Sequence, residues 1–128
     1  MKFYINKTKK GSFDEIIEQV KEALKKEGFG VLAEISISEK LKEKLDVDYP
    51  KYTILGACNP AFAYKALKEE NKIGTMLPCN VVVRQVDETT VEVAAIDPVA
   101  SMLAVENQKV IDGAGEIKAK LGKVVDSL

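Results

Sequence analysis

Residues 81–98, Val-Val-Val-Arg-Gln-Val-Asp-Glu-Thr-Thr-Val-Glu-Val-Ala-Ala-Ile-Asp-Pro, decide the fold class. The β-branched run at 81–86 reads as a strand, Asp87-Glu88-Thr89 as a hairpin loop, and 90–96 as the returning strand. Asp97-Pro98 then sets an N-cap before a proline at the first helical position, so a helix follows at once. A loop this short joins antiparallel strands, whereas parallel pairing needs a crossover of a dozen residues or more.

Working outward, Phe3 and Ile5 alternate with polar neighbours in a short strand that ends at Lys9-Lys10-Gly11. Ser12 and Glu15 have capping-box spacing, Phe13, Ile16, Ile17, Val20 and Leu24 form one helical stripe, and Gly28 supplies the stop. Phe29, Val31, Ala33, Ile35 and Ile37 alternate with Gly30, Leu32, Glu34 and Ser36, the period of a strand with one buried face. Between Ser38 and Val47 a short helix carries a narrow seam of Leu41 and Leu45 amid charges and stops before Asp48-Tyr49-Pro50.

Residues 51–57 form a third strand, and Cys58-Asn59-Pro60 repeats the helix-start signal, with Phe62, Ala63, Ala66 and Leu67 facing inward. The turn Asn71-Lys72-Ile73-Gly74 returns the chain to Leu77-Pro78-Cys79-Asn80 and the hairpin. The C-terminal part is helical, with Asn107, Gly113 and Gly115 as points where one helix would become two. These elements predict an α+β fold in one domain over residues 1–128. A mainly antiparallel curved sheet carries the first and last helices on one face, with two short helices inserted at its ends. The other face is open or paired with another subunit.

Composition narrows the chemistry. The 128 residues are 46% hydrophobic, enough for one core, and 19 basic against 20 acidic residues give a net charge of −1. No field draws in nucleic acid or an anionic membrane. Neither a signal-peptide core nor a membrane-spanning run is present, so a cytoplasmic location is expected. The absence of histidine removes histidine metal sites, histidine-based triads and histidine proton shuttles.

Tyr52 to Pro60, Tyr-Thr-Ile-Leu-Gly-Ala-Cys-Asn-Pro, and Ile73 to Val83, with Ile-Gly-Thr-Met-Leu-Pro-Cys-Asn-Val-Val-Val, resemble the domain-of-unknown-function family number three hundred and two. Further points of resemblance are the first helix, Ala66-Leu67 before Glu69-Glu70, and Asp97-Pro98. The resemblance implies a β-α-β4-α fold like that of the TATA-box-binding protein, with the two short helices as insertions. It also implies a small homo-oligomer, a dimer, and brings no established activity or cofactor.

The chemical candidates are the two Cys-Asn pairs, Cys58-Asn59 and Cys79-Asn80. Cys58 precedes a helix N-cap, where amides and the helix dipole stabilise a thiolate, whereas Cys79 precedes a strand and has no such field. Four readings compete: buried packing thiols, a redox or sulfur-carrying pair in which Cys58 attacks and Cys79 resolves, a two-thiolate copper(I) site with Met76 or Met102, and a ligand-contacting pair. Zinc lacks further ligands. Asp97 reads as a cap before a catalytic carboxylate, and Glu69-Glu70 as a solvated face before an acid-base pair. Arg84 reads as an exposed sheet residue before a ligand or subunit contact. Tyr49, Tyr52, Phe62 and Tyr64 read as core fillers before the lining of an apolar cleft. The leading functional reading is a homodimeric binding or sensory domain with a small-molecule site at Cys58, Asn59, Cys79 and Asn80. A thiol-based redox or sulfur carrier and an oligomerisation module with structural cysteines are its rivals.

Overall fold

A computed structural model describes residues 2–128. The elements run β1 (Tyr4–Lys10), α1 (Phe13–Lys26), β2 (Gly30–Ser36), α2 (Ile37–Leu45), β3 (Tyr52–Cys58), α3 (Pro60–Glu69), a 3-10 turn (Asn71–Met76), β4 (Cys79–Gln85), β5 (Thr90–Ile96), α4 (Pro98–Met102), a second 3-10 turn (Leu103–Val105) and α5 (Gln108–Asp126). All five strands pair antiparallel in the order β1-β5-β4-β3-β2, as an open sheet. This is the β-α-β4-α arrangement with short inserted helices.

The local signals act where the sequence places them. Ser12 Oγ accepts the Glu15 amide at 3.2 Å, and Asn59 Oδ1 accepts that of Phe62 at 3.2 Å. Each side chain satisfies an amide that the first turn would leave unpaired. Gly28 follows α1 with φ of 84°, a conformation glycine enters without steric cost. The C-terminal segment is two helices, parted at Glu106 (φ 56°) and restarted by Asn107, whose side chain caps Lys109 and Val110. Gly113 and Gly115 leave α5 unbroken.

One face of the sheet is the core. Leu55 and Ala57, Cys79, Val81 and Val83, and Val91, Val93 and Ala95 are buried there beneath α1 and α5, with the α1 stripe Phe13, Ile16, Ile17, Val20 and Leu24 against them. Helix α1 packs on β2 and β4, and α5 on β1, β5, α1, α3 and α4.

The expected face of β2 needs correction. Phe29 is buried ahead of the strand and Val31 is half-buried, but Ala33 and Ile35 are exposed. A bulge at Leu32 puts an extra residue between Val31, opposite Ala57, and Ala33, opposite Gly56. That residue reverses the alternation, so Ala33 and Ile35 turn to the face away from the helices. Downstream, the seam of α2 is only partly covered: no residue of the helix is fully buried, Leu41 is half-buried and Leu45 is 66% exposed.

The face opposite the core carries no helix along its centre. Register stacks its side chains in rows: Asn6, Ala94, Val82, Ile54 and Ile35 form the middle one. Tyr4, Ile96, Asn80, Gly56 and Ala33 lie to one side, and Thr8, Glu92, Arg84 and Tyr52 to the other. Arg84 Nε donates to Glu92 Oε1 at 2.6 Å and Asn6 Nδ2 to Glu92 Oε2 at 2.8 Å, so the polar border is internally paired.

Candidate functional site

The two Cys-Asn pairs lie on adjacent strands, yet their four side chains do not share one place: Cys58 and Asn80 turn to the uncovered face, Cys79 to the core and Asn59 to the start of α3. Ala57 is directly opposite Cys79, so both face the core, while alternation turns Cys58, the last residue of β3, to the uncovered side. Cys79 is buried and Cys58 half-buried, and both are free thiols. Burial pushes the Cys79 thiol up to about 11, and negative charge on the neighbouring Cys58 adds to the rise. The nucleophile in thiol exchange is the thiolate, so Cys79 is held in the wrong protonation state near neutrality. Iodoacetamide at neutral pH is expected to modify Cys58 and spare Cys79 until the chain is unfolded. Mass spectrometry of native and urea-treated protein checks this, and rapid native labelling of Cys79 would contradict it.

Asn59 and Asn80 diverge in the same way. The Asn59 amide caps α3 and lines a cleft of about 410 Å³ between α3 and α5. Asn80 lines a shallower, almost wholly apolar depression of about 230 Å³ on the uncovered sheet face, with Phe3, Tyr4, Tyr52, Val82, Ala94 and Ile96. Pro78 lies over Gly56 beside it, where a Cβ would come within 2.8 Å of the Pro78 Cγ. Of the sulfur ligands considered for copper(I), Met102 is fully buried and Met76 lies at the end of the first 3-10 turn.

The aromatics expected in the core divide differently. Tyr49 and Tyr64 are exposed, Tyr52 is half-buried on the open face, and Phe62 is buried as the floor of the α3–α5 cleft. Tyr52 follows the uncovered sheet face, while on α3 Phe62 turns toward α5 and Tyr64 toward solvent. The cleft is the feature that sequence reasoning missed. Its local trace is Gly113 in mid-helix, where a Cβ would approach Phe62 Cε1 to 2.9 Å.

Asp97 is a cap. Oδ1 accepts the Val99 and Ala100 amides at 3.0 and 3.3 Å, and Oδ2 receives Lys118 Nζ at 2.9 Å. Burial alone would raise its pKa, but the Lys118 hydrogen bond and the capping amides win, and the net shift is downward. The sign follows: a carboxyl depressed in the folded state adds stability above its unfolded pKa of about 4, lost as pH falls through the folded value. Asp97→Ala should therefore cost about 1–3 kcal/mol near neutrality and less in acid, and Asp97→Asn less than Ala because it keeps the cap. Urea melts across pH check both.

The other carboxylates are also accounted for structurally. Glu70 caps the 3-10 turn through Lys72, and Glu69 reaches Lys109 at 3.6 Å. Among the described residues no group of three or more Asp, Glu, Cys or His side chains gathers as a metal site, and no helix is long and apolar enough to cross a membrane.

The model of the domain of unknown function DUF302 matches residues 5–128. A crystal structure of an uncharacterized conserved DUF302 protein from Bacillus stearothermophilus has 33% sequence identity, covers 98% of each chain and superposes with a TM-score of 0.90. No curated protein sequence matches. With the sheet order, the inserted helices and both Cys-Asn runs inside the matched span, the chain belongs to the DUF302 family.

Proposed function

We propose that this protein is a homodimeric binding domain in which a second copy covers the open sheet face and the β2–α2 arm. One observation carries the reading: α2 is a capped helix of nine residues that buries none of them. A helix this short is marginal in water on its own and draws its stability from packing. Around it Leu32, Ile35, Leu45, Val47 and Tyr49 are all exposed, and the arm continues into the apolar row Ile35, Ile54, Val82 and Ala94.

The area is adequate. Five strands at about 4.8 Å and three rows of side chains at about 7 Å make a face of roughly 500 Å². Two such faces with the arms approach the roughly 1,200–2,000 Å² of specific interfaces. A partner there would also roof the depression beside Asn80, turning an open hollow into a chamber for a small apolar ligand. Binding is favoured over a thiol relay because Cys79 is both buried and held protonated. Sedimentation equilibrium is expected to give twice the chain mass at micromolar concentration. A monomer at every concentration would remove the proposal.

A further inference from the structure

The cleft between α3 and α5 lies on the helical side of the sheet, away from the face assigned to a second copy, and has the character of a ligand site in its own right. Its floor is apolar: Phe62 and Ala66 from α3, Val110 and Ile117 from α5. Phe62 lies flush with that floor because Gly113 has no side chain where the ring passes; any Cβ would sit 2.9 Å from Cε1 and 3.1 Å from Cδ1. Beside this contact lies a space of about 410 Å³, within the range of small-molecule sites.

The rim is charged and unbalanced. Lys65, Lys68, Lys109 and Lys120 face Glu69 and Glu116, a positive excess in a chain whose net charge is −1. Glu69 is already held by Lys109 across the mouth, at 3.6 Å. Lys68 lies over the Tyr64 ring, 4.2 Å from its centroid. Lys65 and Lys120 have no carboxylate partner among the described residues. At one end Asn59 spends its side-chain oxygen on the Phe62 amide, and its NH₂ lies on the Gly28 side, 3.5 Å from where a Cβ on Gly28 would be. Two ammonium groups without a carboxylate partner therefore border an apolar floor.

We infer that this cleft binds a small amphiphilic anion, its aliphatic or ring body on Phe62, Ala66, Val110 and Ile117 and its carboxylate toward Lys65 and Lys120. A cation would meet the lysine excess, and a neutral molecule of the same shape would gain the floor but not the rim. Complementary charge selects the anion, and the apolar floor supplies the larger part of the affinity.

The test uses octanoate as the probe, with octanol and octyltrimethylammonium as neutral and cationic controls of equal chain length, each titrated into ¹⁵N-labelled protein. Octanoate is expected to move the amide signals of α3 and α5 around Phe62, Gly113 and Ile117, leaving β4 and β5 unmoved. Its affinity should exceed that of both controls and fall with added salt. The Lys65→Gln/Lys120→Gln double variant should weaken octanoate about tenfold and leave octanol unchanged. Ala61→Trp, at an exposed position on the cleft wall, should block all three without unfolding the chain.

Equal binding of the three probes would overturn the anionic selectivity. Absence of shifts on α3 and α5 up to millimolar octanoate would overturn the site. Shifts at α3 and α5 on raising protein concentration alone would assign the cleft to a second copy and overturn it too. None of these results bears on the sheet-face dimer, whose failure would be read by sedimentation.

Discussion

Leu55→Ala is expected to lower the free energy of unfolding by about 3–5 kcal/mol, with little change in the denaturant slope. Leu55 is fully buried on β3, one strand in from the edge, opposite Glu34 on β2 and Val81 on β4. Truncation removes three carbons of buried apolar contact and leaves a cavity whose walls cannot close. Val81 and Val83 on the neighbouring β4, and Val93 on β5 beyond it, are stiff at the first side-chain torsion, and the sheet ladder fixes their backbones. The adjacent residue provides the contrast. Ile54 points to the uncovered face and is only half-buried, so Ile54→Ala in a monomeric chain should cost about 1 kcal/mol or less. Urea melts of the two variants at low protein concentration check the difference; equal losses would contradict the assignment of faces.

That contrast depends on information the sequence carries unevenly. The helix starts at Ser12, Asn59 and Asp97 are legible because a cap and its amides lie within four residues, with a proline directly after Asn59 and Asp97 and a capping-box glutamate after Ser12. The α1 stripe is legible because its period belongs to one element. By contrast, residues 29–37 alternate without fault on paper, and the Leu32 bulge exists only in the pairing of β2 with β3. A feature created by two strands has no signature in either one. The same holds for the thiols: adjacency of Cys58 and Cys79 follows from strand order, but the opposite orientation of their side chains follows from register, which no motif encodes. The α3–α5 cleft is lined by residues far apart in the chain, with Gly113 of α5 against Phe62 of α3.

Val82→Asp is expected to abolish the proposed association of two copies while leaving the monomer folded. Val82 lies in the middle row of the open face, flanked by Ile54 and Ala94 and half-buried. In a lone chain an aspartate there keeps one side in water, and the cost is that of an unsuitable strand residue, about 1 kcal/mol. In a dimer the same carboxylate is removed from water with no cation provided for it, because Arg84 is already bound to Glu92. Twofold symmetry brings a second aspartate to the same interface, which adds repulsion to desolvation. Together these should weaken association by more than about 3 kcal/mol, over a hundredfold in the dissociation constant. The variant also separates folding from assembly. The wild-type urea midpoint should rise with protein concentration because the dimer binds only folded chains, whereas that of Val82→Asp should not. A wild-type midpoint that ignores concentration would leave the uncovered face, and the exposed helix α2 beside it, without the partner that their apolar side chains call for.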